Sequence, residues 1–266
     1  MFSWKRRALS ALVSSAILFV SGLAWSASPT PESASNAPSR VRTVVLVHGF
    51  FADAGCWSDV IRILQSQGVK VVAVENPLAS LAGDAEATRR VIDAQPGQVV
   101  LVGHSWGGAV ITQAGVDPKV SSLVFVAAFA PDQGMSVENL ISSFPAAPWM
   151  STLQQDDSGN LTLSEVGYLT YFAPDLPVRQ ARVLSAEQGA TFGGSLYEPV
   201  SQVAWRSKPS WYVLAENDQM IAPELQRMMS SRMNARVVPI RSSHVVMLSH
   251  PEAVAAVILE AVLARP

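Results

Sequence analysis

The sequence is poor in cysteine and in charge, and each shortage excludes a class of protein. Its 266 residues contain one cysteine, Cys56, which excludes an internal disulfide and a cysteine-based metal cluster. Lys and Arg number 19 against 21 Asp and Glu, so the net charge is −2, and charged residues make up only 15% of the chain. We therefore expect no nucleic-acid partner. We interpret Cys56 as a small core residue.

Binding motifs for metals and nucleotides are missing as well. The four histidines form no H-x-x-H pair, and no carboxylate cluster accompanies them. The glycine-rich stretch 103–108 spaces its glycines differently from a dinucleotide fingerprint and lacks the acidic residue that follows such a fingerprint by about 20 positions. These absences predict a protein without a metal ion or another cofactor.

Residues 1–27 are predicted to be a signal peptide. Three basic residues, 5–7, precede an apolar run, 8–23, and small residues up to Ala27 offer a cleavage site. The alternative is an uncleaved anchor, although the run contains serines and is marginal in length for a bilayer. We therefore expect an exported protein, periplasmic or secreted, with no membrane partner after cleavage.

Residues 28–42 are rich in proline, serine and alanine, which predicts a flexible linker. Residues 43–266 alternate between β-branched apolar runs and amphipathic segments. The alternation predicts one α/β domain with a mostly parallel central sheet flanked by helices. Residues from about 132 to 205 break the rhythm, and we expect a small helical cap inserted there. The predicted strands are 43–47, 69–74, 99–103, 122–128, 211–215 and 236–240, and the predicted helices are 57–67, 81–94, 109–114, 223–233 and 251–264.

The strongest functional motif lies at the third predicted strand. Four apolar residues lead into Gly103-His104-Ser105-Trp106-Gly107, and a helix is predicted to follow. A G-x-S-x-G pattern between a strand and a helix is typical of a nucleophile elbow, in which a sharp turn exposes the serine above the sheet. Ser105 is therefore the predicted nucleophile, and the alternative is a tight structural turn.

A serine nucleophile needs a base, and elimination among the four histidines leaves His244. His48 ends the first predicted strand, and His104 lies inside the elbow with its side chain expected to point away from Ser105. His250 starts the last predicted helix. His244 follows the last predicted strand, where the base of this architecture lies.

The base in turn needs a carboxylate to orient it, and Asp218 is the predicted one. It lies just beyond the end of strand 211–215. Glu216, which is nearer to the strand, is the first alternative, and Asp132, after the preceding strand, is the second. The backbone N–H groups of Phe50 and Trp106 are predicted to stabilise the oxyanion that forms when an acyl group is attacked.

Three segments of the sequence are similar to a known family. They are His48-Gly49 followed by Trp57, then Glu216-Asn217-Asp218 through Ile221, Pro223-Glu224 and Gln226-Arg227, and finally His244-Val245-Val246-Met247-Leu248. With these segments, the sequence from residue 43 to 263 resembles the α/β-hydrolase superfamily, and more narrowly the branch of plant methylesterases, hydroxynitrile lyases and related bacterial esterases. The resemblance implies Ser105, Asp218 and His244 as a catalytic triad, and ester hydrolysis without a cofactor.

Two departures from that branch bear on the reaction. Its lyases carry threonine after the first histidine and lysine after the catalytic histidine, whereas this chain has Gly49 and Val245. The sequence therefore predicts a serine hydrolase that cleaves small-molecule carboxylic esters through an acyl-enzyme. The alternatives are a cofactor-free perhydrolase or haloperoxidase with the same triad, and a ligand-binding protein on a hydrolase scaffold.

Overall fold

A computed structural model describes residues 42–264, so the predicted signal peptide and nearly all of the predicted linker lie outside the described residues. The strands are β1 Thr43–Val47, β2 Lys70–Val74, β3 Val99–His104, β4 Val120–Val126, β5 Leu153–Gln155, β6 Asn160–Leu163, β7 Thr191–Phe192, β8 Ser210–Ala215 and β9 Arg236–Ile240. The α-helices are α1 Ser58–Ser66, α2 Leu81–Asp93, α3 Gly107–Ala114, α4 Val137–Ile141, α5 Glu165–Gly167, α6 Val178–Glu187, α7 Pro223–Arg232, α8 Val246–Ser249 and α9 Pro251–Leu263. Short 3₁₀ segments lie at Ala54–Trp57, Pro148–Thr152, Gly193–Tyr197 and Ala204–Arg206, and one π-helical turn lies at Tyr168–Phe172.

Six strands form the main sheet in the order β2-β1-β3-β4-β8-β9, and every neighbouring pair is parallel. The inner strands β1, β3 and β8 are buried along their whole length, whereas the edge strands β2 and β9 are partly exposed. Helix α1 packs against α9, and α2 packs against α3. Near-continuous apolar runs become buried strands of this kind because helices cover the sheet. The predicted α/β fold is confirmed.

All six predicted strands are present, and most of their ends lie within a residue or two of the prediction. The fourth strand ends at Val126 and not at the predicted residue 128. Ala127 has a positive φ of 43°, which is not a strand conformation. Tyr212 from the neighbouring strand then bonds the backbone N–H and carbonyl of Ala128. The chain thus leaves the sheet two residues earlier than its apolar pattern indicates.

The segment between β4 and β8 is not purely helical, which corrects the expected helical cap. Besides the short helices α4, α5 and α6 it contains the antiparallel sheet β5-β6-β7. The hairpin between β5 and β6 turns at Gly159, whose φ is 83°, and the Asp156 carboxylate accepts the N–H groups of Ser158 and Asn160. Polar turn residues of this kind favour a hairpin over a helix.

The strand ends bring the functional segments together. The register of β1 and β3 places Val47 beside Gly103, so the loop after β1 runs next to the turn after β3. The cap segment reaches the same edge, because the Trp149 indole donates to the carbonyl of Met220 at 3.0 Å in the loop after β8. Within residues 42–264 no helix is long and apolar enough to cross a membrane.

Candidate active site

Ser105 lies on the sharp turn between β3 and α3 and has a positive φ of 52°. The two glycines of the motif make this turn possible. A Cβ on Gly103 would lie 2.5 Å from the carbonyl oxygen of Gly107, and a Cβ on Gly107 would lie 2.5 Å from that of Val47. Strain at a non-glycine residue persists where the surroundings hold it, and here it holds a serine that is only 7% exposed at the end of a strand.

The backbone at Gly49 also lies close to Ser105. A Cβ at this position would lie 2.7 Å from the Cβ of Ser105 and 3.0 Å from the carbonyl oxygen of His104. A larger residue after His48 would therefore displace the loop or the elbow. The glycine that departs from the lyase pattern is thus the residue that this backbone requires.

His244 and Asp218 form a buried pair. Nδ1 of His244 lies 2.8 Å from Oδ2 of Asp218, and the two residues are 1% and 4% exposed. The backbone N–H groups of Met220 and Ile221 donate to Oδ1 of Asp218 at 2.7 and 3.0 Å. The structure therefore brings together the predicted base and the predicted carboxylate. The carboxylate oxygen that does not face His244 is held by the two backbone N–H groups.

The two alternative carboxylates have other partners. Asp132 forms an ion pair with Arg206 at 2.6 Å. Glu216 lies 3.9 Å from the guanidinium of Arg241 at the surface. Neither is hydrogen-bonded to His244 among the described residues, whereas Asp218 is.

Gln226 is a polar partner of Asp218 that the sequence analysis missed. Its Nε2 donates to Oδ2 of Asp218 at 2.8 Å and to the carbonyl of Ile221 at 2.9 Å. Its Oε1 accepts the N–H of Ala215, at the end of β8, at 3.1 Å. A fully buried glutamine in the first half of α7 thus joins the carboxylate to the sheet. Its presence in the segment resembling the family's acid loop was the only available signal.

His104 also contacts the base. Its Nε2 lies 3.0 Å from the carbonyl oxygen of His244, and the two ring centroids are 4.7 Å apart. Burial lowers the pKa of His104 well below its usual value, so the ring is neutral and Nε2 carries the hydrogen that it donates. The side chain that was expected to point away from Ser105 therefore supports the loop of His244.

The loop before His244 is held from the cap. Oδ2 of Asp175 accepts the backbone N–H of Ser243 at 2.7 Å and the hydroxyl of Ser242 at 3.0 Å, and Oδ1 accepts the Ser243 hydroxyl. Partial burial raises the pKa of Asp175, but these hydrogen bonds outweigh it and hold the pKa below its usual range. Sequence reasoning had no means to connect a cap carboxylate with this loop.

Phe50 and Trp106, the predicted oxyanion donors, both line the cavity above Ser105. Their rings pack together with centroids 4.6 Å apart. Among the described residues, the backbone N–H of neither has a hydrogen-bond acceptor. Two backbone donors beside the serine are thus available to a ligand atom.

The cavity holds about 490 Å³ of space, counted with its open mouth. Apart from Ser105 and His244, every lining side chain is apolar or aromatic, and no charged residue of the described chain lines it. The lining residues are Phe50, Phe51, Ser105, Trp106, Phe129, Ile141, Trp149, Leu153, Leu161, Phe172, Leu196, Met220, Ile221 and His244. Such a pocket suits an uncharged, apolar ligand.

The described residues contain neither a cluster of potential metal ligands nor a reactive thiol. Within the part of the chain that the structure describes, no three His, Cys, Asp or Glu side chains are grouped closely enough to hold a metal ion. Cys56 is buried in the core, and burial raises the pKa of its thiol well above the usual value. The thiol therefore stays protonated at neutral pH and is a poor nucleophile.

Comparison with known proteins identifies the family. Residues 44–257 match the alpha/beta hydrolase family, and the chain belongs to it. Methylesterase 2 of Arabidopsis thaliana is 28% identical over 233 residues, which cover 75% of this chain and 87% of that protein. The alpha-hydroxynitrile lyase of the same plant is 26% identical over 243 residues, covering 80% and 94%.

A solved structure agrees on the fold. Polyneuridine aldehyde esterase superposes with a TM-score of 0.74 at 24% identity, over 82% of this chain and 98% of that one. The resemblance to the methylesterase and hydroxynitrile lyase branch is confirmed by the two Arabidopsis relatives. Family membership and these relatives support a carboxylic ester hydrolase, the enzyme class that the sequence predicts.

Proposed function

We propose that the protein is a serine esterase that hydrolyses uncharged esters with apolar acyl or alcohol groups. Ser105 is the nucleophile, His244 the general base, and Asp218 the carboxylate that orients the base. The observation that carries the proposal is the buried pair of His244 and Asp218 in an apolar cavity that Ser105 also lines. The strained turn of Ser105 supports the same assignment.

The proposed reaction has two acyl-transfer steps. Nε2 of His244 takes the hydroxyl proton of Ser105 as the oxygen attacks the ester carbonyl. The N–H groups of Phe50 and Trp106 donate to the oxygen that becomes negative. The protonated imidazole then gives its proton to the leaving alcohol, and a water molecule hydrolyses the acyl-enzyme by the same route.

Asp218 stays ionised throughout the proposed reaction. It accepts the Nδ1 hydrogen of His244, which keeps the Nε2 lone pair directed at the nucleophile. Three other donors, which are two backbone N–H groups and Gln226, hold the Asp218 carboxylate in place for this bond.

The lining of the cavity supports the substrate class. A carboxylate or ammonium on the substrate would be buried among aromatic and aliphatic side chains without a partner. The free-energy cost of removing such a charge from water exceeds what apolar contacts return. A lyase reaction finds no support, because Val245, in the position of the lyases' lysine, is apolar and fully buried. The site therefore favours neutral esters and their hydrolysis.

The test uses two matched substrates. For the wild type we expect a kcat/KM for p-nitrophenyl hexanoate about 100-fold above that for mono-p-nitrophenyl adipate, which has the same acyl chain length but a terminal carboxylate. Ser105→Ala should lower kcat by at least about 10,000-fold, and His244→Ala should be comparably severe. His250→Ala, a change to a half-buried histidine between α8 and α9, is the control.

Each part of the proposal has its own contrary result. Hydrolysis by Ser105→Ala near the wild-type rate would contradict the nucleophile. Equal losses in His244→Ala and His250→Ala would contradict the base. Equal rates on the two esters would contradict the substrate class but leave the triad standing.

A further inference from the structure

Asp84 is a buried carboxylate that the proposed mechanism does not use. It lies in the first turn of α2 and is fully buried. Its Oδ2 accepts a hydrogen bond from the Trp106 indole Nε1 at 2.8 Å, and its Oδ1 accepts the backbone N–H of Leu78 at 2.8 Å. Because burying a carboxylate costs free energy, two donors aimed at it indicate a specific arrangement. Burial raises the pKa of Asp84, and the two hydrogen bonds oppose that rise.

The partner of Asp84 is one of the two proposed oxyanion donors. Trp106 follows Ser105 directly, and its ring packs on that of Phe50 with centroids 4.6 Å apart and planes inclined by 34°. An indole held at its Nε1 therefore restrains both residues whose N–H groups are the proposed oxyanion donors.

Leu78 connects the same carboxylate to the cap. Its φ of 56° is unfavourable for a residue with a side chain, and the bond from its N–H to Asp84 stabilises that conformation. Its carbonyl accepts the N–H of Phe192 in β7 at 2.9 Å. Asp84 thus lies between the elbow on one side and a cap strand on the other.

We propose that Asp84 is the positioning residue of the oxyanion hole. One oxygen holds the Trp106 indole and the other holds the cap-bonded Leu78, so that the N–H groups of Trp106 and Phe50 stay aimed at the acyl oxygen. Asp84 does not touch the substrate and acts through Trp106. The inference rests on the proposed function, since it assigns a role within that reaction.

The expected signature follows from how an oxyanion hole works. Its donors stabilise charge that develops in the transition state, and their benefit depends on being fixed beforehand. Loosening them lowers kcat and weakens transition-state analogues, whereas ground-state binding in the apolar cavity changes little. A residue needed only for folding would lower the amount of active enzyme and leave the kcat of each active molecule unchanged.

The test is a double-mutant cycle of Asp84→Asn and Trp106→Phe. Asparagine offers one acceptor oxygen to two donors, and phenylalanine keeps the aromatic wall without the indole N–H. With kcat expressed per serine titrated by a fluorophosphonate, each single variant should lose about 10- to 100-fold in kcat, with KM changed by less than about twofold. Affinity for a trifluoromethyl ketone should fall by the same factor as kcat. The double variant should be no more than about twofold slower than the slower single variant.

Glu86→Gln is the matched control, because Glu86 lies two residues further along α2, is exposed and pairs with Arg89 at 3.1 Å. It should keep the wild-type kcat. A kcat for Asp84→Asn within about twofold of the wild type overturns the proposal, and so do losses that multiply in the double variant.

Misfolding of Asp84→Asn would not end the test. Trp106→Phe removes the same hydrogen bond from the other side, so an unchanged kcat in that variant alone overturns the proposal. If the proposed function itself were wrong, the fluorophosphonate would not label Ser105 of the wild type. That result is distinct from an unchanged kcat in the variants, which overturns only the role of Asp84.

Discussion

The nucleophile and the base of the proposed triad are held by different kinds of structure. Ser105 owes its position to the backbone, through a positive φ and glycines that let the turn lie against its neighbours. His244 lies on a loop after β9 and is held by side chains from elsewhere in the chain, with Asp218 on its ring and His104 on its carbonyl. Gln226 in turn donates a hydrogen bond to the Asp218 carboxylate.

This difference predicts two patterns of mutational effect. The elbow has no room for an added atom, so a change there disrupts the strand, the turn and the helix together. The base is supported by several separate hydrogen bonds, each of which can be removed while the others remain. We therefore expect all-or-none effects around Ser105 and graded effects around His244.

The largest effect is expected for Gly107→Ala. The added Cβ would lie 2.5 Å from the carbonyl oxygen of Val47 and 2.9 Å from that of His48, both in backbone that cannot rotate away. We expect Tm to fall by at least about 5 °C, because the end of β1 or the elbow must move. Esterase activity should disappear with it. Differential scanning fluorimetry and a p-nitrophenyl ester assay measure both.

Gly189→Ala is the control for that change. Gly189 lies in the cap, and a Cβ there would meet nothing within 4 Å. The variant should keep its activity and change the free energy of unfolding by less than about 0.5 kcal/mol. Equal damage from the two substitutions would contradict the assignment of a close-packed elbow.

The next largest effect is expected for Asp218→Asn. The amide oxygen takes the place of Oδ1, which accepts two backbone N–H groups, so the NH₂ group faces His244. It then donates to Nδ1 and moves the imidazole hydrogen to Nε2, which can no longer accept the serine proton. We expect kcat to fall by about 1,000- to 10,000-fold with the fold intact.

Two controls separate this effect from a general loss of charge. Glu216→Gln and Asp132→Asn remove the carboxylates that the sequence offered as alternatives and that pair with arginines in the structure. Both variants should keep kcat within about threefold of the wild type. A loss in either that matched Asp218→Asn would reassign the acid.

The same contrast explains which features the sequence could predict. The elbow is a local motif, so a strand pattern, two glycines and a serine within five residues were enough to identify it. The strands followed from β-branched runs, and His244 followed from the small number of histidines. Each of these signals lies within a short window of the chain or in a count over the whole chain.

The supports of the base leave no such signal. Gln226 is one polar residue on an amphipathic helix, and Asp175 is separated from Ser243 by 68 positions. The small sheet in the cap was missed because its strands are two to four residues long and one follows the others by more than 25 residues. Contacts of this kind depend on the tertiary arrangement, which overrides local propensity.

The smallest effect is expected for Asp175→Asn, which weakens the link between the cap and the loop of His244. The Asp175 carboxylate is only partly buried, so solvent screens much of its charge and we expect Tm to fall by only about 1–3 °C at pH 7. Asp157→Asn, a change at an exposed carboxylate in the turn between β5 and β6, is the control and should leave Tm unchanged.

The Tm difference between the wild type and Asp175→Asn should depend on pH in one direction. Hydrogen bonds from Ser243 and Ser242 hold the pKa of Asp175 below its usual range. Its contribution to stability is therefore complete above the ordinary aspartate pKa of about 3.9 and is lost as the pH falls through the lower native value. The Tm difference between the wild type and Asp175→Asn should stay constant from about pH 7 to 5 and shrink below about pH 4. A difference that grew on acidification would show that the carboxylate stabilises the loop in its protonated form.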